Sequence, residues 1–211
     1  VHFLGEILGA TGFGTGAFCR YAIEGGKHWH LLAGAAAGQT HVVYAEEEEL
    51  AAWNHPIDLH YAAQSLQAWP RLLLQVWRLD CFGRASIAGY GFCHMPAAHP
   101  SGDGGGSHIY DASYDSGLDC GNCSGYGGGC GGWGGSTELS VPCWRPVGSA
   151  AAEAAAFFLG AAPQLRDPDV LFGTAWADRC RLLTAPAGRV FLSVSVVVRH
   201  FAEQNVELAA A

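Results

Sequence analysis

The chain has 211 residues, half of them hydrophobic and 14% charged, with eleven basic side chains against nineteen acidic ones. That length and composition support one sizeable core and exclude disorder of the whole chain. A formal charge of −8, with Lys27 the single lysine, speaks against nucleic acid and against an anionic membrane surface, both of which need clustered Lys or Arg.

No apolar run approaches the roughly 18 residues of a membrane-spanning helix. The N-terminal VHFLGEILGATG lacks a basic stretch followed by a long apolar one, so no secretory signal is expected and the eight cysteines are expected to be free thiols in a reducing compartment.

Residues 1 to about 98 read as short extended segments between turn signals. Val1 to Leu8 is apolar and short. After the Gly-rich GATGFGTG, Phe18 to Ile23 follows, and the turn Glu24-Gly25-Gly26-Lys27 predicts Trp29 to Leu32 as its hairpin partner. Thr40 to Tyr44 is β-branched and aromatic. Asn54-His55-Pro56 reads as a breaker before a strand at Ile57 to Tyr61. RLLLQVWRL, Arg71 to Leu79, is the strongest strand. Ser86 to Cys93 pairs with it across Asp80-Cys81-Phe82-Gly83.

Residues 99 to about 139 change character. Fourteen of the chain's 30 glycines fall between Gly102 and Gly135. Too few aliphatic side chains are present to offset backbone ordering, so a mobile, disordered surface insertion is expected there.

From residue 140 the composition is again globular. Ser149 caps a helix, AAAEAAAFFL, that ends at Gly160 with Pro163 beyond. The third helical residue is Ala152, so a full capping box is not expected. Leu171 to Thr174 and Cys180 to Thr184 read as short strands. In RVFLSVSVVVRHF, Arg189 to Phe201, the residues Val190, Leu192, Val194, Val196 and Val198 share one face by the two-residue period. That row belongs inside a β-sandwich. One domain over 1–202, interrupted by 99–139 and followed by a tail at 203–211, is the organisation expected.

Chemistry-bearing patterns have simpler structural readings. Gly12-Phe13-Gly14-Thr15-Gly16-Ala17 fits G-x-G-x-x-A, but no helical period follows to present its N-terminus to a pyrophosphate. Cys120, Cys123, Cys130 and Cys143, with His94, His99 and His108 nearby, invite a zinc reading. Their spacing matches no finger or ribbon, and unligated thiols are the simpler account. Asp58 and His60 would share a strand face near His55, which a solvated polar face explains. Glu46 to Glu49 reads as a solvated loop. No nucleophile comes with a plausible base, so no catalytic residue is assigned. Trp53, Trp69, Trp77 and Trp144, with Pro56, Pro70, Pro142 and Pro146, read as shaping sandwich corners or, for some aromatics, as partner anchors.

The segments GQTHVVYA, WNHPIDLHY, WPRLLLQVWRLDCFGR, IAGYGFCHMP, CWRPVGS and VFLSVSVVVRHF resemble the B9 domain family, a specialised branch of the C2 β-sandwiches. The resemblance implies an all-β, C2-like, eight-stranded antiparallel sandwich with one short helix. It implies no catalysis and no cofactor. It implies a place in the cytoplasm at the ciliary base, in the transition zone and basal body, associated with the cytoskeleton. There it would assemble with other B9 proteins, B9 domain-containing protein 1 and the Meckel syndrome type 1 protein, in a complex that gates ciliary entry. Membrane contact would be indirect.

Calcium-dependent C2 domains carry a run of the type V-x-D-x-D-x-x-x-x-x-D-x-I-G. Val76 to Gly89 lies in register with it, and Asp80 matches one ligand while Arg78 and Ser86 stand where carboxylates would be. Gly12 to Phe18, in place of the other metal loop, holds no acid. Calcium takes six to eight oxygens, so its binding at this apex is expected to be lost. Arg20, Arg71, Arg78 and Arg84 would make at most a weak basic face.

Overall fold

In RLLLQVWRL both faces of the strand are apolar, so this segment must be covered on two sides. The computed structural model describes residues 1–46, 49–97, 108–111, 136–159, 163–165 and 182–199. There Arg71–Leu79 (β6) sends Leu72, Leu74 and Val76 into the main core. It sends Leu73 and Trp77 to the opposite face, against Ile87, Tyr90, Trp144, Leu165 and Leu182.

The other described strands are His2–Thr11 (β1), Ala17–Glu24 (β2), Trp29–Gly34 (β3), Ala37–Gln39 (β4), Ala51–Ala63 (β5), Ala85–His94 (β7), His108–Asp111 (β8), Ser136–Pro146 (β9) and Thr184–Val197 (β10). The single described helix, α1, is Ala150–Leu159. The strands form one curled sheet in the order β3-β5-β1-β10-β9-β7-β6-β2-β4, with β8 parallel to β9. Every other pairing is antiparallel.

The curl makes two layers. β9 runs along β10 from Thr184↔Pro146 to Ser195↔Ser136, yet meets β7 only at Tyr90↔Trp144. The sheet therefore turns at that pair. Side chains of β1, β5 and β10 meet those of β2 and β6 in a single cluster. Among the described residues, hydrogen bonds that cross between the layers include Trp53 Nε1 donating to the Ala17 carbonyl at 3.2 Å, the Tyr61 hydroxyl donating to that of Ile23 at 3.5 Å, and a 3.2 Å contact between the Tyr21 hydroxyl and His55 Nε2. Burial of these apolar faces, at about 25 cal/mol per Å², supplies the main driving force.

The closing strand behaves as its period predicts. Val190, Leu192 and Val194 are fully buried, Val196 nearly so, and Val198 packs against the same cluster. β10 lies between β1 and β9, so the first and last described strands share one layer.

The all-β, C2-like architecture is the one expected, and several details within it are corrected. The described strands number ten rather than eight. β3 does not form a hairpin with β2. It pairs with β5 in the other layer, from Trp29↔Ala63 to Gly34↔Leu59, because Trp29 is drawn into an aromatic cluster with Tyr61 and Trp69. Thr40 to Tyr44 is not a regular strand; the ladder on β2 is Ala37–Gln39, extended by bonds from Thr40 and Val43. The Thr40 side chain is buried and its Oγ1 accepts the Cys19 N–H at 2.9 Å.

Asn54-His55-Pro56 does not break β5, which runs through it. Pro56 stands beyond the end of β3, where β5 has β1 as its one neighbour. A missing N–H is tolerated at such an edge. Asn54 takes φ +45°, a left-handed backbone that Asn tolerates, where β5 carries one residue more than β1 between His55 and Ala52.

The boundaries of the Gly-rich stretch also move. β8 lies inside it, and β9 begins at Ser136 rather than at 140. Leu171 to Thr174 lies outside the described residues. So do Cys180 and Arg181, while Leu182 and Leu183 are not strand and Thr184 opens β10. At α1 the Glu153 carboxylate accepts the Gly148 N–H at 3.1 Å, so an acid one position later than in a capping box reaches back instead.

Candidate functional site

The apex is built by the β1–β2 loop and the β6–β7 hairpin. Gly12, Gly14 and Gly16 all take positive φ, and Ala17 starts β2 directly. The G-x-G-x-x-A match thus lacks the helix that a dinucleotide site requires. The Leu79 N–H bonds the Gly16 carbonyl at 2.9 Å and fixes the loop against the hairpin.

Asp80 serves the hairpin itself. Its Oδ1 accepts the backbone N–H of Phe82 at 2.9 Å and of Arg84 at 2.8 Å, while Arg84 Nε donates to Oδ2 at 2.8 Å. The Arg84 N–H leads the causes that hold this carboxyl below the usual carboxylate range, followed by the Arg84 side chain and the Phe82 N–H. Arg78 and Ser86 face each other across the β6–β7 ladder. Among the described residues no group of three or more His, Cys, Asp or Glu could hold a metal ion. Phe82, at the hairpin tip, is 79% exposed and lies 5.3 Å beneath the Arg84 guanidinium.

On β5 the two-residue period separates the residues grouped by sequence. Asp58 and His60 face outward. His2 Nε2 meets Asp58 Oδ1 at 2.6 Å, and the His2 and His60 rings lie 5.2 Å apart. His55 points the other way, where its Nε2 is 3.2 Å from the Tyr21 hydroxyl. Burial first, then His41, lowers its pKa. Of the acidic run, Glu49 N–H bonds the Glu46 carbonyl in a turn, and residues 47 and 48 lie outside the described residues.

Cys143 sits in the core, with its Sγ 3.7 Å from the Val141 carbonyl. Burial pushes this thiol up to about 12. Cys93 is likewise raised to about 12, by burial and then by Cys143, and Cys19 is raised further. A thiol held protonated inside the sandwich is a poor metal ligand. Cys120, Cys123 and Cys130, and His99, lie outside the described residues, and His108 is described only as backbone in β8. Cys81 is exposed.

The aromatic residues divide between core and cover. Trp53 is buried, and Trp69 donates to the Met95 carbonyl at 2.8 Å, which seats Pro70 beside it through the Met95 N–H. The Trp144 and Tyr90 rings lie 5.7 Å apart, tilted by 35°. Pro142 and Pro146 lie on β9 opposite Arg189 and Thr184. The basic residues do not converge. Arg20 lies 4.9 Å over the Trp77 ring and bonds Gln39, whereas Arg71 reaches Glu24 at 4.0 Å.

The feature that sequence reading missed is the distribution of charge around the sheet's free edges. Residues 28 to 45 contain no Asp, Glu, Lys or Arg, and they supply both terminal strands, β3 and β4. The run was visible in the sequence; that it forms one side of the molecule was not.

A family model described as "Ciliary basal body-associated, B9 protein" matches residues 1–103 and 119–197. Its second part begins inside the stretch read as an insertion. The chain is 41% identical to B9 domain-containing protein 2 of Rattus norvegicus and 38% to that of Homo sapiens, each over 98% of both chains. It is 30% identical to B9 domain-containing protein 1 of Mus musculus over 37% of this chain and 40% of that one. Among solved structures, a C2 domain of plant extended synaptotagmin 1 aligns with a TM-score of 0.40 and 9% identity, over 94% of this chain and 95% of that one.

Proposed function

The chain belongs to the B9 family of ciliary basal body-associated proteins, and from that premise we propose that it is a non-enzymatic scaffold subunit of the ciliary transition zone. It binds other B9-domain proteins, B9 domain-containing protein 1 and the Meckel syndrome type 1 protein, and supports ciliogenesis and gating. The observation that carries this reading is similarity to B9 domain-containing protein 2 along nearly the whole of both chains. Asp80 is taken up by its own turn, and His55, Asp58 and His60 do not converge on one face. The chain performs no catalysis and needs no cofactor. Its purification from ciliated cells is expected to bring down B9 relatives in fixed proportion. Recovery without any B9 relative would contradict the reading.

The exposed Phe82 under Arg84 supports a second reading, a calcium-independent phospholipid contact at the apex. An aromatic beside a cation suits a headgroup boundary, although the net charge of −8 opposes it. Flotation with anionic vesicles that is lost in Phe82→Ser would favour this reading. No flotation would dismiss it.

A further inference from the structure

The curled sheet has an open side. β3 and β4 end the strand order, and in the chain only Ala35 and Ala36 separate them. Of the described strands with a single neighbour (β3, β4 and β8), β3 is the longest. Every residue from His30 to Gly34 is exposed, Leu31 by 42% and Leu32 by 60%. Such a strand presents a row of backbone donors and acceptors to solvent, and folded proteins usually guard it with Lys, Pro or an inward charge. β3 carries no Lys, Pro or charged side chain, and its one irregularity is a register shift against β5 between Leu31 and Ala33.

We propose that the free edge of β3 receives the edge strand of another B9-type domain by strand addition. The inference rests on the scaffold reading above and names its surface. Backbone groups at strand spacing are matched by another extended backbone, and the exposed leucines give that backbone side chains to pack on. Charge selects the occupant further. A lipid headgroup or a nucleic acid would find no Lys or Arg between residues 28 and 45. The strip itself carries no carboxylate, and Asp58 on the neighbouring β5 is engaged by His2 at 2.6 Å, so an uncharged strand of the partner domain seats on the strip without opposing charge. Joining this edge to an exposed strand of the partner domain removes the unpaired row on both.

The test titrates the purified chain with mouse B9 domain-containing protein 1, comparing wild type, the double variant Leu31→Lys/Leu32→Lys, and Phe82→Ser. Leu32→Lys alone covers the case in which the double variant fails to fold. The lysine variants are expected to weaken binding by about tenfold or more, the scale of losing a central anchor, while Phe82→Ser binds as wild type does. Equal binding by the lysine variants overturns the edge and leaves the scaffold reading intact. Loss in Phe82→Ser alone moves the contact to the apex and also overturns it. A dimer of the chain alone, abolished by the lysines, makes a second copy the occupant and overturns the choice of partner. A wild type that binds no B9 protein removes the scaffold reading, and the edge with it.

Discussion

Arg84 closes a ring on Asp80. Its side-chain Nε and its backbone N–H both reach the carboxylate at 2.8 Å, and its carbonyl accepts the Asp80 N–H at 3.0 Å. The one acid that matches a C2 calcium ligand is thereby committed to the β6–β7 turn. Opening it for a cation would break these bonds, and Arg84 would stand beside the metal. Millimolar calcium or chelator is expected to leave the melting temperature unchanged. A calcium-dependent rise that disappears in Asp80→Ala would contradict this.

The same ring has a pH signature. The folded-state pKa of Asp80 lies below its ordinary value of 3.8. Its contribution is therefore present above that value and is lost as pH falls through the lower folded one. Asp80→Asn is expected to be less stable than wild type at neutral pH, with the difference shrinking toward strong acid. Melting curves of both proteins from neutral to acid pH check this; a constant difference would count against it.

His55 works at a higher pH with the same sign. Partial burial and then His41 lower its pKa from 6.5, so the folded protein favours the neutral ring. Stability is full above about 6.5 and declines as pH falls below it, because the unfolded chain binds the proton first. His55→Gln should flatten that decline. Tyr21→Phe removes the hydroxyl partner and should cost about 0.5–1.5 kcal/mol at pH 7, read from urea unfolding.

Trp53 joins the layers through both its ring and its Nε1, which bonds the Ala17 carbonyl. Trp53→Ala should cost about 3–5 kcal/mol from the cavity it leaves. Trp53→Phe, which keeps an aromatic ring but leaves the carbonyl unpaired, should cost less. Equal losses in chemical denaturation would show that the hydrogen bond, not the ring, holds the layers.

Thiol reactivity should follow burial. Brief native alkylation followed by peptide mapping is expected to find Cys81 modified and Cys19, Cys93 and Cys143 protected until the protein unfolds. Fast modification of Cys143 would mean that β9 does not turn into the core.

Much of this fold could be read from local pattern. β6 and β10 carry unbroken apolar rows, and a two-residue period is insensitive to what lies across the sheet. The turn at Asp80 was equally legible, since Asp-x-x-Gly-Arg supplies its own hydrogen bonds. Pairing was less so. The turn before Trp29 signals a hairpin, but Trp29, Tyr61 and Trp69 decide the outcome through contacts more than 30 residues apart. At Pro56 the local rule failed because the cost of a missing N–H depends on whether a neighbour needs it, and β3 has already ended. The candidate edge was hidden for the same reason: exposure of Leu31 and Leu32 follows from strand order, which sequence spacing does not encode.

The most direct measurement is amide hydrogen exchange on the chain with and without mouse B9 domain-containing protein 1. A complex is expected in which new protection concentrates on residues 29 to 34, while β6 and β10, already slow, do not change. Absence of a complex, or protection confined to residues 80 to 84, would contradict the proposed strand addition at β3.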